Sequence, residues 1–206
     1  TVHQVPTTAT AGSDQTLCNI FTTTLTGNNP TTGSGLWSVV SKPSGAPDPT
    51  FTSASTYNTN VNFNNSYFGT YTLRWTTSTA YCSSSDDVNI TIYEEPSTPQ
   101  DVANFAICQF DNLNLTTTAP TAGTGVWSQV SGPNTANILN PTSNSTQVIG
   151  FITGTYVFRY TISNGTCTPK TDDVTVTVTP AGKAIGNLPI LDMITPPVRL
   201  IWHKAL

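Results

Sequence analysis

Gly33-Ser34-Gly35-Leu36-Trp37-Ser38 returns later in the chain as Gly123-Thr124-Gly125-Val126-Trp127-Ser128. The match does not stand alone. Gly69-Thr70-Tyr71-Thr72-Leu73-Arg74-Trp75 returns as Gly154-Thr155-Tyr156-Val157-Phe158-Arg159-Tyr160, and Asp86-Asp87-Val88 as Asp172-Asp173-Val174. Cys18 corresponds to Cys108, and Cys82 to Cys167. Order, spacing and residue type agree throughout at an offset of 85 to 90 residues. That period is too long for a solenoid unit of roughly 20–50 residues. It suits a small β-sandwich domain.

Strands follow from period-two alternation. In Tyr71-Thr72-Leu73-Arg74-Trp75 the apolar side chains share one face. In Val174-Thr175-Val176-Thr177-Val178-Thr179 the valines alternate with threonines, and Val88, Ile90 and Ile92 form the matching row. Segments around Phe21–Leu25, Leu36–Val40, Asn60–Phe63 and Thr146–Ile149 read the same way. Gly, Pro, Asn and Ser clusters between them supply turn chemistry. The pattern predicts an all-β chain: two tandem immunoglobulin-like or PKD-like sandwiches of six to seven strands each, with no helix. The first spans 1–95 and the second 96–180. Glu94-Glu95-Pro96-Ser97-Thr98-Pro99 forms a proline-stiffened junction between them.

Composition bounds the function. Of 206 residues only 9% are charged, against roughly 25% in an ordinary domain. Seven Lys+Arg and a net charge of −4 argue against a nucleic-acid surface. No apolar run reaches the ~18 residues of a membrane span. Thr1-Val2-His3-Gln4 does not read as a secretion leader. The two histidines, His3 and His203, stand at opposite ends of the chain, so a His-based catalytic or metal centre is not expected.

Residues 181–206 break the pattern. They are apolar and proline-containing, and they carry three of the seven basic residues. They read as an interaction arm, the start of a next domain, or a non-native extension.

Each repeat owns two cysteines, which predicts the pairs Cys18–Cys82 and Cys108–Cys167. Closing loops of this length stabilises by roughly 4 kcal/mol each in the chain-entropy model. Disulfides imply an oxidising compartment. Four free buried thiols are the alternative; the absence of Cys-x-x-Cys spacing disfavours zinc.

Trp37 and Trp127 are expected in the core, with a sugar-stacking platform as the rival reading. Tyr71 and Tyr156 follow Gly-Thr at a strand entry, where a tyrosine corner belongs. Arg74 with Asp87, and Arg159 with Asp173, are expected as surface ion pairs. The acidic doublets also invite calcium, which wants six or more oxygen ligands, more than a doublet offers. Successive residues on a strand point to opposite faces, so neither doublet can flank a glycosidic bond. No cofactor is called for.

The ordered set Ala11-Gly12-Ser13-Asp14-Gln15-Thr16-Leu17-Cys18, Gly-x-Gly-x-Trp-Ser, Gly-Thr-Tyr-x-x-Arg-aromatic, Cys and Asp-Asp-Val resembles the PKD-like/immunoglobulin-like repeats of very large Bacteroidetes surface proteins. It is similar in particular to the repeats of the gliding-motility adhesins typified by SprB. The resemblance covers about residues 9–180. It implies an extracellular bacterial cell-surface protein with many modules in series, non-catalytic, acting as spacer and adhesive surface. Its partners would be neighbouring repeats of the same parent chain and a surface polysaccharide or other extracellular surface. A carbohydrate-binding or accessory module of a secreted polysaccharide-degrading enzyme is the alternative. An enzyme in its own right would need convergent titratable groups that the sequence scarcely supplies.

Overall fold

A computed structural model describes residues 2–100 and 102–181. The expectations placed on residues 182–206 therefore lie outside the described residues. Among the described residues there is no helix, and the strands fall into two equal sets.

The first set comprises β1 (Gln15–Cys18), β2 (Thr22–Thr26), β3 (Ser34–Ser41), β4 (Thr50–Phe51), β5 (Asn58–Asn62), β6 (Gly69–Ser78) and β7 (Ser83–Tyr93). The second repeats it as β8 (Phe105–Cys108), β9 (Leu113–Thr116), β10 (Thr124–Ser131), β11 (Asn137–Ile138), β12 (Ser145–Ile149), β13 (Gly154–Ser163) and β14 (Lys170–Thr179). Each set makes a sandwich of a four-stranded and a three-stranded sheet. The orders are β1-β7-β6-β3 with β2-β5-β4, and β8-β14-β13-β10 with β9-β12-β11.

Alternation decides which face is buried. Along β6 the side chains of Tyr71, Leu73, Trp75 and Thr77 point inward and are buried. On β13 the same row reads Tyr156, Phe158, Tyr160 and Ile162. Val88, Ile90 and Ile92 of β7, and Val174, Val176 and Val178 of β14, complete the inner faces. Leu25 and Val61 close the first core from the opposite sheet, and Leu115 and Val148 close the second. Even the irregularity repeats: the β3–β6 ladder slips between Val39 and Ser41, and the β10–β13 ladder between Gln129 and Ser131. Such a bulge tightens the local twist of the strand pair.

The recurring Gly-x-Gly-x-Trp motif has a steric cause. Gly33 and Gly123 adopt φ of 88° and 91°, which an L side chain resists. Gly35 and Gly125 lie so close to the rings of Trp75 and Tyr160 that an added Cβ would overlap them. The motif thus lets a large aromatic on β6 or β13 lie flat against β3 or β10.

The first and last strands of each module run parallel. Cys18 of β1 stands opposite Tyr93 at the end of β7, and Cys108 of β8 opposite Thr179 at the end of β14. This register sets the place of every cysteine.

Candidate functional site

Strand geometry puts the two cysteines of a module at its opposite poles. Cys18 lies level with Tyr93, the last residue of β7, whereas Cys82 immediately precedes Ser83, its first. At ~3.3 Å per residue the length of β7 separates them by about 35 Å. Cys108 and Cys167 are held apart likewise by β14. A disulfide needs Cα atoms within roughly 7 Å. The expected pairs Cys18–Cys82 and Cys108–Cys167 are therefore corrected. The structure joins Cys18 to Cys167, with Cα atoms 5.0 Å apart and 149 residues of sequence between them. Cys82, partly exposed, and Cys108, exposed, are free. Two cysteines per repeat fit pairing within a repeat and between repeats equally well. The signal that separates these is the parallel pairing of first and last strands.

The bond staples the lower pole of the first module to the hairpin loop between β13 and β14. Further contacts surround it. Asn164 Nδ2 donates to Glu94 O at 2.8 Å. Lys170 Nζ meets Glu95 Oε1 at 3.1 Å. Gly165, at φ 53°, lies directly against the ring of Tyr93, where a Cβ would overlap that ring. The junction segment leaving Tyr93 then docks on the second module, with Ser97 N donating to Ala122 O at 3.1 Å. A covalent bond, an ion pair, a close glycine–aromatic contact and backbone hydrogen bonds together define the relative placement of the modules.

The remaining candidates divide between core and surface. Trp37 and Trp127 are each 2% exposed, so neither offers a face to a ligand. Tyr71 and Tyr156 are fully buried. Their hydroxyls donate to carbonyls four residues upstream, Tyr67 O at 3.5 Å and Ile152 O at 3.2 Å. Burial, with a smaller contribution from Tyr67, pushes the Tyr71 phenol up.

Arg74 makes a two-pronged pair with Asp87 at 2.6 and 2.8 Å. Arg159 makes the same pair with Asp173, both contacts at 2.7 Å. The guanidinium hydrogen bonds hold both carboxyls below the usual range. The other member of each acidic doublet turns to the opposite face, as a strand requires. There Asp86 accepts from Ala11 N at 2.7 Å and Asp172 from Val102 N at 3.0 Å. Each doublet therefore ties an entering segment to the last strand. Among the described residues no three His, Cys, Asp or Glu gather in a group able to hold a metal ion.

A shallow recess of about 440 Å³ on the second module is lined by Pro120, Gly125, Val126, Asn144 and Tyr160. Tyr160 is its one titratable group, and burial raises that phenol. The recess holds no acid–base pair.

The comparisons agree with this architecture. A protein-family model described as "K319L-like, PKD domain" matches residues 112–178, within the second module. No curated protein matches the chain. Among solved structures, murine CEACAM1b is similar over 84% of this chain and all of its own, with 12% identity and a TM-score of 0.58. Sidekick-1 immunoglobulin domains 1–4 give 13% identity and a TM-score of 0.57, covering 84% of this chain and 48% of that one. Drosophila OTK extracellular domains 3–5 give 13% identity and a TM-score of 0.56, covering 81% and 59%. The chain thus spans about half of those two longer structures. The likeness is one of fold: tandem immunoglobulin-like sandwiches, with a PKD-type sequence in the second.

Proposed function

We propose that this chain is a non-catalytic pair of spacer modules from an extracellular adhesive protein. The Cys18–Cys167 staple carries the reading. It fixes the angle between two sandwiches, which is what a projecting stalk requires. A disulfide also belongs to an oxidising compartment. The repeat motifs resemble those of bacterial cell-surface adhesins, and this supports the finer assignment to surface attachment, gliding motility included. Thr- and Asn-covered outer faces with few charges suit close approach to polysaccharide or another extracellular surface.

The carbohydrate-module alternative has less support. Its aromatic platform would have needed Trp37 and Trp127, and both are in the core. The exposed aromatics Tyr81 and Phe110 belong to different modules and form no strip.

Small-angle X-ray scattering tests the spacer reading. Two stacked sandwiches, each about one long strand in height, predict a rod roughly 70 Å long. The oxidised protein should keep one extended shape. The Cys18→Ser variant should give a broader distribution of sizes, with both modules still folded. Equal breadth in the two proteins would sink the reading. Saturable binding on a glycan array would favour the alternative.

A further inference from the structure

The junction is built from parts that each module also carries at its other pole. We propose that Cys82 and Cys108 are half-cystines of further junctions of the same construction, each joined to a further repeat of this kind, head to tail. The proposal rests on the spacer reading and extends it from one junction to a series.

Three observations carry it. Repeat equivalence is the first. Cys108 ends β8 as Cys18 ends β1, each opposite the last residue of its partner strand. Cys82 lies in the β6–β7 loop as Cys167 lies in the β13–β14 loop. The bonded pair is one lower-pole and one upper-pole cysteine. The free pair is the remaining upper-pole and lower-pole cysteine.

The second is the segment leading into the first module. It reproduces two hydrogen bonds of the linker between the modules and the position of its aromatic residue. Thr79 Oγ1 donates to Gln4 O at 3.0 Å, as Asn164 Nδ2 donates to Glu94 O. Thr7 N donates to Thr32 O at 3.1 Å, as Ser97 N does to Ala122 O at the same distance. The ring of His3 lies 3.8 Å from that of Tyr81 in the β6–β7 loop, just as Tyr93 lies on the β13–β14 loop. The upper pole of the first module is thus already arranged as a junction seat.

Volume and charge give the third. In the existing junction a large residue, Tyr93, meets a glycine, Gly165. At the first module's upper pole the residues in these places are His3 and Ala80, a smaller ring over a larger residue, and at the second module's lower pole Thr179 stands in the place of Tyr93. The ion pair Lys170–Glu95 is replaced by uncharged residues, Ser84 with Val5 at the upper pole and Ala181 at the lower, where the exposed Asp111 accepts from Cys108 N at 3.0 Å. Each free cysteine also has an exposed aromatic beside it, Tyr81 at 72% and Phe110 at 80%.

The chemistry balances with a disulfide oxidant such as oxidised glutathione. The Cys82 and Cys108-type thiols lose two protons and two electrons and form one S–S bond. The oxidant's S–S bond breaks and leaves as two thiols.

A four-repeat chain tests this. Residues 1–179 are joined directly to residues 4–206, so that Thr179 of the leading copy continues into Gln4 of the trailing one. Cys82→Ser in the leading copy and Cys108→Ser in the trailing copy leave only the junction pair unassigned. After refolding in a glutathione redox buffer, the chain should hold no alkylatable thiol as a monomer. Unreduced peptide mapping should find leading Cys108 bonded to trailing Cys82, alongside Cys18–Cys167 in both copies. Two free thiols per chain, with both Cys18–Cys167 bonds present, would overturn the proposal and leave the spacer reading standing. A bond between separate chains would overturn it too. Failure of Cys18–Cys167 to form would overturn both.

Discussion

The two modules differ most informatively at one spot in their cores. In the first, Trp37 and Trp75 pack with ring centroids 5.1 Å apart, and each indole N–H has an acceptor: Tyr57 O at 3.3 Å and Asn28 O at 3.2 Å. In the second, Trp127 packs on Tyr160 at 4.9 Å. Tyr160 is smaller than Trp75, and a buried Thr117 stands where the first module has Gly27. An added Cβ on Gly27 would press on Trp37 and Trp75 at 3.1 and 3.3 Å. The exchange preserves packing but not hydrogen bonding. Thr117 Oγ1 and Trp127 Nε1 are both buried without a partner. Volume compensation across a core is readily achieved, because many side chains can fill a gap. Polar satisfaction is harder, because an acceptor must stand at one place and one angle.

That contrast can be broken or sharpened by substitution. The largest effect expected is from Trp75→Ala or Tyr160→Ala, about 3–5 kcal/mol on the module concerned. Denaturant unfolding followed by tryptophan fluorescence and circular dichroism would measure it. A loss confined to one module would show that the cores are energetically separate. Gly27→Thr comes next, with about 1–3 kcal/mol of overpacking against the two indoles. Combined with Trp75→Tyr, it should recover much of that loss. If the double variant is no better than the single, the compensation argument fails. Thr117→Val should raise the stability of the second module by about 1 kcal/mol, since it removes a buried hydroxyl that has no partner at nearly constant volume. A fall in its thermal midpoint would show that the hydroxyl is satisfied after all.

The smallest effects belong to the matched ion pairs. Asp87 and Asp173 have carboxyl groups held below their ordinary values by the arginine hydrogen bonds. Their contribution is therefore fully present above the unfolded carboxylate value of about 4 and is lost as pH falls through the lower folded value. Arg74→Gln and Arg159→Gln should flatten the acid limb of the stability curve below about pH 4. Above pH 5 each should differ from the parent by a small constant, because the pairs are half-exposed. Unequal flattening in the two variants would show that matching sequence positions do not guarantee matching electrostatics.

Much of this was legible before any coordinates. The alternation in Tyr71–Trp75 and Val174–Thr179 is strict, so strands and their buried faces followed directly. The repeat supplied the two-sandwich plan, and Arg-x-x with Asp-Asp-Val placed guanidinium and carboxylate on neighbouring strands. Cysteine pairing was not legible, because composition and symmetry count sulfurs without locating them. Only the parallel register Cys18–Tyr93 shows that two cysteines of one repeat stand a full strand apart. The Gly27/Thr117 exchange was equally hidden. It depends on which side chain meets Trp75 across the sandwich, and a single strand's pattern does not say.

The parallel pairing of first and last strands has a mechanical consequence. β1 enters from the upper pole and β7 leaves at the lower one, with four residue pairs between them, and β8 and β14 repeat the arrangement. While Cys18–Cys167 is closed, tension on the chain ends runs along β1, through the bond and into β14; once the bond is reduced, it pulls the first and last strands of each module past one another lengthwise. All the hydrogen bonds of the ladder then carry the load together, whereas a hairpin pulled open at its ends would release them one at a time. The staple thus takes the pull first, and the two shear ladders stand behind it as a reserve.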